Sequence, residues 1–270
     1  MVQNGPFFER MGVWSTFHFV SKNFLTIIAQ QPMSRKILIV KNITQEGAGL
    51  LETLLNEHGI ASHSEDLSAG GTFPDPRGYS ALMVLGGPQS ANDETSEMLL
   101  QLRRIEQALD EEIPFLGICL GMQCLVKAGG GKVMKAPVKE AGFVDTNGNP
   151  YRIDLTAAGR KDPLFGGLGK SFPVFQLHGE TVELAASGME LLATGEECPI
   201  QAVRVGKNGY GLQCHFELTD AMFSEWCEND ADLKKIDQGD LKEQFESIRE
   251  EYHSTGLKLL SNFLRLSGLV

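Results

Sequence analysis

The first stretch of this sequence that suggests chemistry is a cysteine with glycine two residues before it and two after, Gly117-Ile118-Cys119-Leu120-Gly121. It matches G-x-S-x-G with Cys in place of Ser, the pattern of a nucleophile elbow. Pro114-Phe115-Leu116 and Ile118 read as the end of a buried strand. Leu120 to Ala128 are good helix formers, and Gly129-Gly130-Gly131 stops them. A thiol between strand and helix sits at a helix N-terminus, where the dipole and free N–H groups favour a thiolate. The N–H of Leu120 then points where an oxyanion would form. The plainer alternative is a structural core cysteine, since free cysteines are commonly buried. The flanking glycines and the switch from strand to helix suit a reactive residue better.

A thiol nucleophile needs a base, and the base needs an orienting group. His58 and His63 fall at the polar ends of early elements, His253 on an acidic helix, and His18 near the N-terminus. These four read as solvated residues. His178 and His215 fall in predicted strands. Glu217 follows His215 by two residues, and on a strand that spacing puts both side chains on one face. The carboxylate can then reach the imidazole, as in a Cys-His-Glu triad. Alone, His-x-Glu is a weak pattern, and the elbow gives it its meaning.

The remaining composition narrows the class. The chain has 270 residues and a net charge of −11. That charge disfavours a nucleic-acid surface, which needs clustered Lys and Arg, and also disfavours anionic membranes. The five cysteines are odd in number and form no C-x-x-C pair. Neither a disulfide framework nor a metal site is expected from their spacing, and a reducing cytoplasm fits. No G-x-G-x-x-G or G-x-x-x-x-G-K-[ST] stretch occurs, so no cofactor is expected.

The elements that must position these residues follow from periodicity. Residues 1–32 contain one acid, Glu9, and are expected to be a leader outside the fold, too polar to span a membrane. The fold is expected over 33–270. Lys36–Val40, Ile60–Leu67 and Ala81–Leu85 read as strands, and Glu46–His58 and Glu94–Leu109 as helices. This alternation predicts an α/β, doubly wound, mostly parallel sheet with helices on both faces. Beyond Gly131 the expected strands are short: 132–135, 142–145, 151–155, 173–177, 189–194, 200–205 and 211–215. They predict a small antiparallel extension. Thr219 and Asp240 are expected to cap two C-terminal helices.

These residues resemble a known family. Gly117-Ile-Cys119-Leu-Gly121-Met-Gln123 resembles the nucleophile motif of class I (triad-type) glutamine amidotransferases. Gly211-Leu-Gln-Cys-His215-Phe-Glu217 resembles their C-terminal motif, and Gly86-Gly87-Pro88-Gln89-Ser90 their oxyanion loop. Within the class, Gln176-Leu-His178-Gly179-Glu180-Thr181 is most similar to the His-Gly-Asp segment of the GMP synthase amidotransferase domain and its stand-alone relatives. The resemblance implies that Cys119 attacks the γ-carboxamide of glutamine, that His215 moves protons and that Glu217 orients it. It implies an oxyanion hole from the N–H groups of Gly87 and Leu120. It implies substrate binding by Gln123, His178, Gly179 and Glu180. Three departures stand out: Cys214 replaces the usual Phe, Phe216 the frequent Pro, and Glu180 the usual Asp. GMP synthase continues into an ATP-pyrophosphatase domain, whereas the residues after Thr219 here read as helices.

The expected activity is a γ-glutamyl thioester on Cys119 whose hydrolysis releases ammonia, with glutamine or another γ-glutamyl small molecule as substrate. A synthetase partner in trans would receive the ammonia; no nucleic-acid or membrane partner is expected. Two rivals are a γ-glutamyl peptidase acting on γ-glutamyl peptides or glutathione conjugates, and a non-catalytic regulatory module. The second would be favoured by loss of Cys119, His215 or Glu217, and all three are present.

Overall fold

The computed structural model describes residues 36–185 and 187–270. The expected leader, residues 1–32, lies outside the described residues. The chain begins in β1 (Lys36–Lys41), whose Ile37, Leu38, Ile39 and Val40 are all buried. A continuous apolar run of this kind suits a parallel strand covered on both faces. It is followed by α1 (Leu50–His58), β2 (Ala61–Asp66), β3 (Ala81–Val84), α2 (Ser96–Asp110), β4 (Phe115–Ile118) and α3 (Leu120–Ala128). The second half holds β5 (Lys132–Gly142), β6 (Arg152–Leu155), β7 (Ser171–Pro173), β8 (Gln176–Glu183), β9 (Met189–Thr194), β10 (Ala202–Val205) and β11 (Gly209–Leu212). Two helices close the chain, α4 (Asp220–Asn229) and α5 (Gln238–Leu266).

Nine strands form one sheet in the order β2-β1-β3-β4-β11-β10-β9-β6-β7. The pairs from β2 to β11 are parallel, and those from β11 to β7 antiparallel. β5 and β8 form a separate antiparallel pair. The expected doubly wound sheet with a small antiparallel extension is therefore present. One face packs Ile37, Ile39 and Leu116 against Leu51 and Leu54 of α1 and Leu259 and Phe263 of α5. The other packs Leu38, Val40 and Phe115 against Met98 and Ile105 of α2 and Leu125 of α3. The polar strand β2 takes the edge, where exposed side chains are tolerated. Among the described residues, no helix is long and apolar enough to cross a membrane.

Several boundaries differ from the sequence reading, each for a tertiary reason. The first helix begins at Leu50 rather than Glu46, because Gly49 turns with φ 55° to meet another segment. The run 132–145 is one strand to Gly142 with a register irregularity between Lys135 and Glu140. Asp145 instead closes a turn, accepting from the N–H groups of Asn147 and Asn149. The run 173–177 is divided between β7 and β8. Between them the chain leaves one sheet for the other, and Phe175 pairs with His215 through two backbone hydrogen bonds of 2.8 and 3.1 Å. The last strand ends at Leu212, so His215 and Glu217 lie beyond it. α5 is capped by Asp237, whose Oδ1 accepts from Gly239 and Asp240, while Thr219 caps α4 as expected.

Candidate active site

Cys119 joins β4 to α3 with φ 52° and ψ −108°. Non-glycine residues rarely hold a positive φ, and strain of this kind gathers at functional positions. The crowding explains the glycines. A Cβ on Gly121 would lie 2.0 Å from the Val84 carbonyl oxygen, and one on Gly117 2.4 Å from Gly121. The Cys119 N–H donates to Leu212 O at 2.8 Å, which ties the elbow to the end of β11. β4 and β11 are parallel neighbours, so the residues after their C-terminal ends emerge side by side. Ligands of open α/β sheets bind at that edge.

His215 and Glu217 follow β11. His215 Nδ1 lies 2.7 Å from Glu217 Oε1, and Glu217 Oε2 accepts from the Phe216 N–H at 2.8 Å. The other side of the imidazole is within hydrogen-bonding reach of the Cys119 thiol. Cys119, His215 and Glu217 are 7%, 1% and 2% exposed. Burial works against the charged imidazole. The Glu217 carboxylate and hydrogen bonds with Cys119 and Glu217 outweigh it, and the His215 pKa is raised well above its ordinary value. Trp226 meets the ring edge-on at 4.9 Å between centroids, and its Nε1–H donates to Gln45 O.

The other residues singled out from sequence fall as follows. Leu120 opens α3 directly after the thiol, and a Cβ on Gly87 would lie 3.4 Å from Leu120 Cδ2, so the two expected oxyanion donors are neighbours. Gln123 is buried, and its Nε2 donates to Glu180 O and to Gln213 Oε1, each at 3.2 Å. Glu180 is half-buried and accepts from the Ser90 hydroxyl at 3.1 Å. Gly179 is exposed beside them. His178 turns inward: its Nε2 lies 2.7 Å from Glu140 Oε2 and its Nδ1 3.0 Å from Glu180 O. Gln123, Glu180 and the Leu177 carbonyl thus form one wall beside the thiol, which lies 3.7 Å from Leu177 O.

Two residues of the site carry no sequence signal strong enough to find them. Gln213 donates from Nε2 towards Cys119 Sγ at 3.6 Å. It stands inside the Gly211–Glu217 segment but reads there as an ordinary strand residue. Glu46 comes from the turn before α1. A Cβ on Gly86 would lie 2.3 Å from Glu46 Oε2 and 3.2 Å from His215 Cε1, so this carboxyl lies beside the imidazole. Its Oε2 is buried without a hydrogen-bond partner. Burial pushes its pKa up to about 7, against the opposing pull of His215 and with help from Glu217. Glu140, His178 and Cys198 also converge, from three separate segments, which no spacing rule reveals.

The chain is similar in sequence and fold to known proteins. A family model described as glutamine amidotransferase class-I matches residues 60–231. The glutamine amidotransferase-like protein YfeJ of Salmonella typhimurium is 34% identical over 54% of this chain and 60% of its own length. The glutamine-hydrolysing GMP synthase of Thermosipho africanus is 33% identical over 54% of this chain and 26% of its own. The chain therefore spans less than two thirds of each. A crystal structure of a glutamine amidotransferase from Thermotoga maritima superposes with a TM-score of 0.74 at 27% identity, covering 87% of this chain and 98% of that one. A Methylobacillus flagellatus structure at 24% identity and TM-score 0.71 shares the fold.

Proposed function

The chain belongs to the class-I glutamine amidotransferase family, and from that premise we propose that it is a thiol enzyme hydrolysing the γ-carboxamide of glutamine. The observation that carries this reading is the set Cys119, His215 and Glu217, with the imidazole held by the carboxylate at 2.7 Å and reaching the thiol. His215 takes the thiol proton, and Cys119 Sγ attacks the γ-carbonyl carbon. The oxyanion is received by the N–H groups of Leu120 and Gly87. Collapse breaks the C–N bond, and the His215 proton leaves with ammonia. Water, deprotonated by His215, then attacks the thioester and returns glutamate and the free thiol. Glu217 holds the ring orientation and stabilises the imidazolium.

Gln123, Gly179 and Glu180 are assigned to the amino-acid end of the substrate, since they lie along the wall beside the thiol. His178, with Nδ1 turned to Glu180 O and Nε2 lying 2.7 Å from Glu140 Oε2, is assigned to shaping that wall. The ammonia acceptor is proposed to be a synthetase in trans, by analogy with the GMP synthases, of one of which this chain matches 26% of the length. A cytoplasmic location is proposed because a thiol nucleophile works in a reducing compartment.

The test is a panel of glutamine, γ-glutamyl peptides and asparagine, scored for ammonia or amine release. Ammonia release from glutamine supports the reading. Turnover of γ-glutamyl peptides alone would move the assignment to a γ-glutamyl peptidase with the same triad. No turnover of any member by protein that is folded and carries a free Cys119 would overturn it.

A further inference from the structure

Behind the substrate wall lies a second cluster. Glu140 of β5, His178 of β8 and Cys198, in the turn after β9, are 1%, 4% and 1% exposed. A donor atom from each lies within 4.8 Å of the other two. The hydrogen-bonding pattern constrains what holds them together. His178 Nδ1 is 3.0 Å from Glu180 O, and a carbonyl oxygen only accepts, so Nδ1 carries a proton. In the neutral ring Nε2 is then a bare lone pair. It lies 2.7 Å from Glu140 Oε2, an acceptor in the ionised carboxylate. Two such atoms in a buried space need something positive between them, either a shared proton or a cation.

Two observations favour the cation. Despite the short separation, His178 Nε2 makes no hydrogen bond, so its in-plane direction points away from the carboxylate oxygen. Gln201, fully buried, has an unpartnered Oε1, while its Nε2 donates to Glu140 Oε2 at 3.3 Å. Glu140 has no lysine or arginine partner among the described residues. The adjacent Lys139 turns instead to Asp232.

We propose that Glu140, His178 and Cys198, with the buried Gln201 amide beside them, form a binding site for a divalent transition metal, best fitted to zinc. Imidazole, carboxylate and thiolate are the donors zinc takes, at about 2.0–2.3 Å. To reach one ion the His178 Nε2–Glu140 Oε2 pair would open from 2.7 Å, with any longer separation to Cys198 Sγ closing. Metal-binding histidines usually give the other ring N–H to a carboxylate or backbone carbonyl, as His178 does to Glu180 O. On binding, Cys198 releases its thiol proton to solvent. The ion would staple β5, β8 and the β9–β10 turn from behind Leu177 and Glu180. This site is separate from the Cys119 chemistry and stands whether or not glutamine is the substrate.

The test uses the full chain carrying Cys119→Ala, which removes the other thiol near a histidine. Metal-free protein is titrated with Co²⁺. A thiolate-to-cobalt charge-transfer band saturating at one equivalent is expected, and its loss in Cys119→Ala/Cys198→Ser. Should the second variant not fold, anomalous diffraction at the zinc edge from zinc-grown crystals of the first decides, with a peak expected among Glu140, His178 and Cys198. No band at stoichiometric cobalt, or a zinc peak only elsewhere, would mean that a proton and not a metal joins His178 to Glu140, and the proposal would be overturned.

Discussion

The N–H of Leu50, first residue of α1, donates to the main-chain oxygen of Glu217 at 2.8 Å. The proposed orienting carboxylate is therefore anchored from a helix that follows the first strand of the fold. α5 grips the neighbouring peptide, since Gly256 runs close under Phe216 O. The segment that carries His215 and Glu217 is held between these two helices, which compensates for its position beyond the end of β11.

Gly49 is the first residue where this clamp can be tested. A Cβ there would lie 2.0 Å from Glu217 O, and its φ is 55°. Gly49→Ala should destabilise the protein by on the order of 1–3 kcal/mol. Turnover of the folded fraction should fall as well, because the clash moves Glu217. Urea unfolding together with turnover per folded molecule checks both parts; an unaltered midpoint contradicts the clamp.

Gly256 gives a sharper contrast. Helix propensity alone would make Gly256→Ala stabilising by about 1 kcal/mol. The added Cβ would instead lie 2.1 Å from Phe216 O, and overpacking of this kind destabilises by roughly 1–3 kcal/mol. A lowered melting temperature is expected, and a raised one would show that α5 does not bear on the triad segment.

Glu46 links stability to pH. Its folded pKa of about 7 lies above the ordinary 4.5. Between these values the folded state holds a proton that the unfolded chain has lost, so stability falls as pH rises through that window. Glu46→Gln removes this dependence. The variant and the parent should melt alike below about pH 4.5, and the variant should be the more stable above pH 7. Parallel melting curves across pH 4 to 8 measure it, and a constant difference would refute the assignment.

Thiol selectivity tests the nucleophile. An electrophilic glutamine analogue should label Cys119 ahead of the other four cysteines. Cys124 is fully buried, with its thiol pushed up to about 12, and burial also raises Cys214 well above the ordinary thiol value. His215→Ala should lower turnover by on the order of 10²-fold or more. Glu217→Gln should leave slower but detectable labelling, since it disturbs orientation and not the thiol. Mass spectrometry of the labelled peptides reads the order, and comparable label on Cys124 or Cys227 would remove Cys119 from its role.

What the sequence shows depends on how local the cause is. The elbow was readable because its glycines answer to crowding within a few residues, at Gly117 and Gly121. The strand–helix alternation up to Ala128 was readable because buried parallel strands are continuous apolar runs. The start of α1 was not, because Gly49 turns to meet Glu217, which is distant in sequence. The division of 173–177 was hidden for the same reason, since Phe175 pairs with His215. His215 and Glu217 were expected on one strand face; their contact is present, but past the strand end. Glu46, Gln213 and the Glu140–His178–Cys198 cluster depend on side chains brought together from different segments.

The pairing of β4 with β11 also sets an order of assembly. The elbow is complete in sequence by α3, yet Gln213 follows Cys119 by 94 residues. At about 5–20 residues per second of synthesis, several seconds separate the emergence of the thiol from that of its proposed base, His215. Until β11 inserts beside β4, Cys119 has neither the Leu212 carbonyl that ties its backbone nor the neighbouring His215 imidazole. On the proposed mechanism a nascent or half-folded chain thus carries a dormant thiol, whose reactivity arrives only with the last long-range pairing of the parallel sheet.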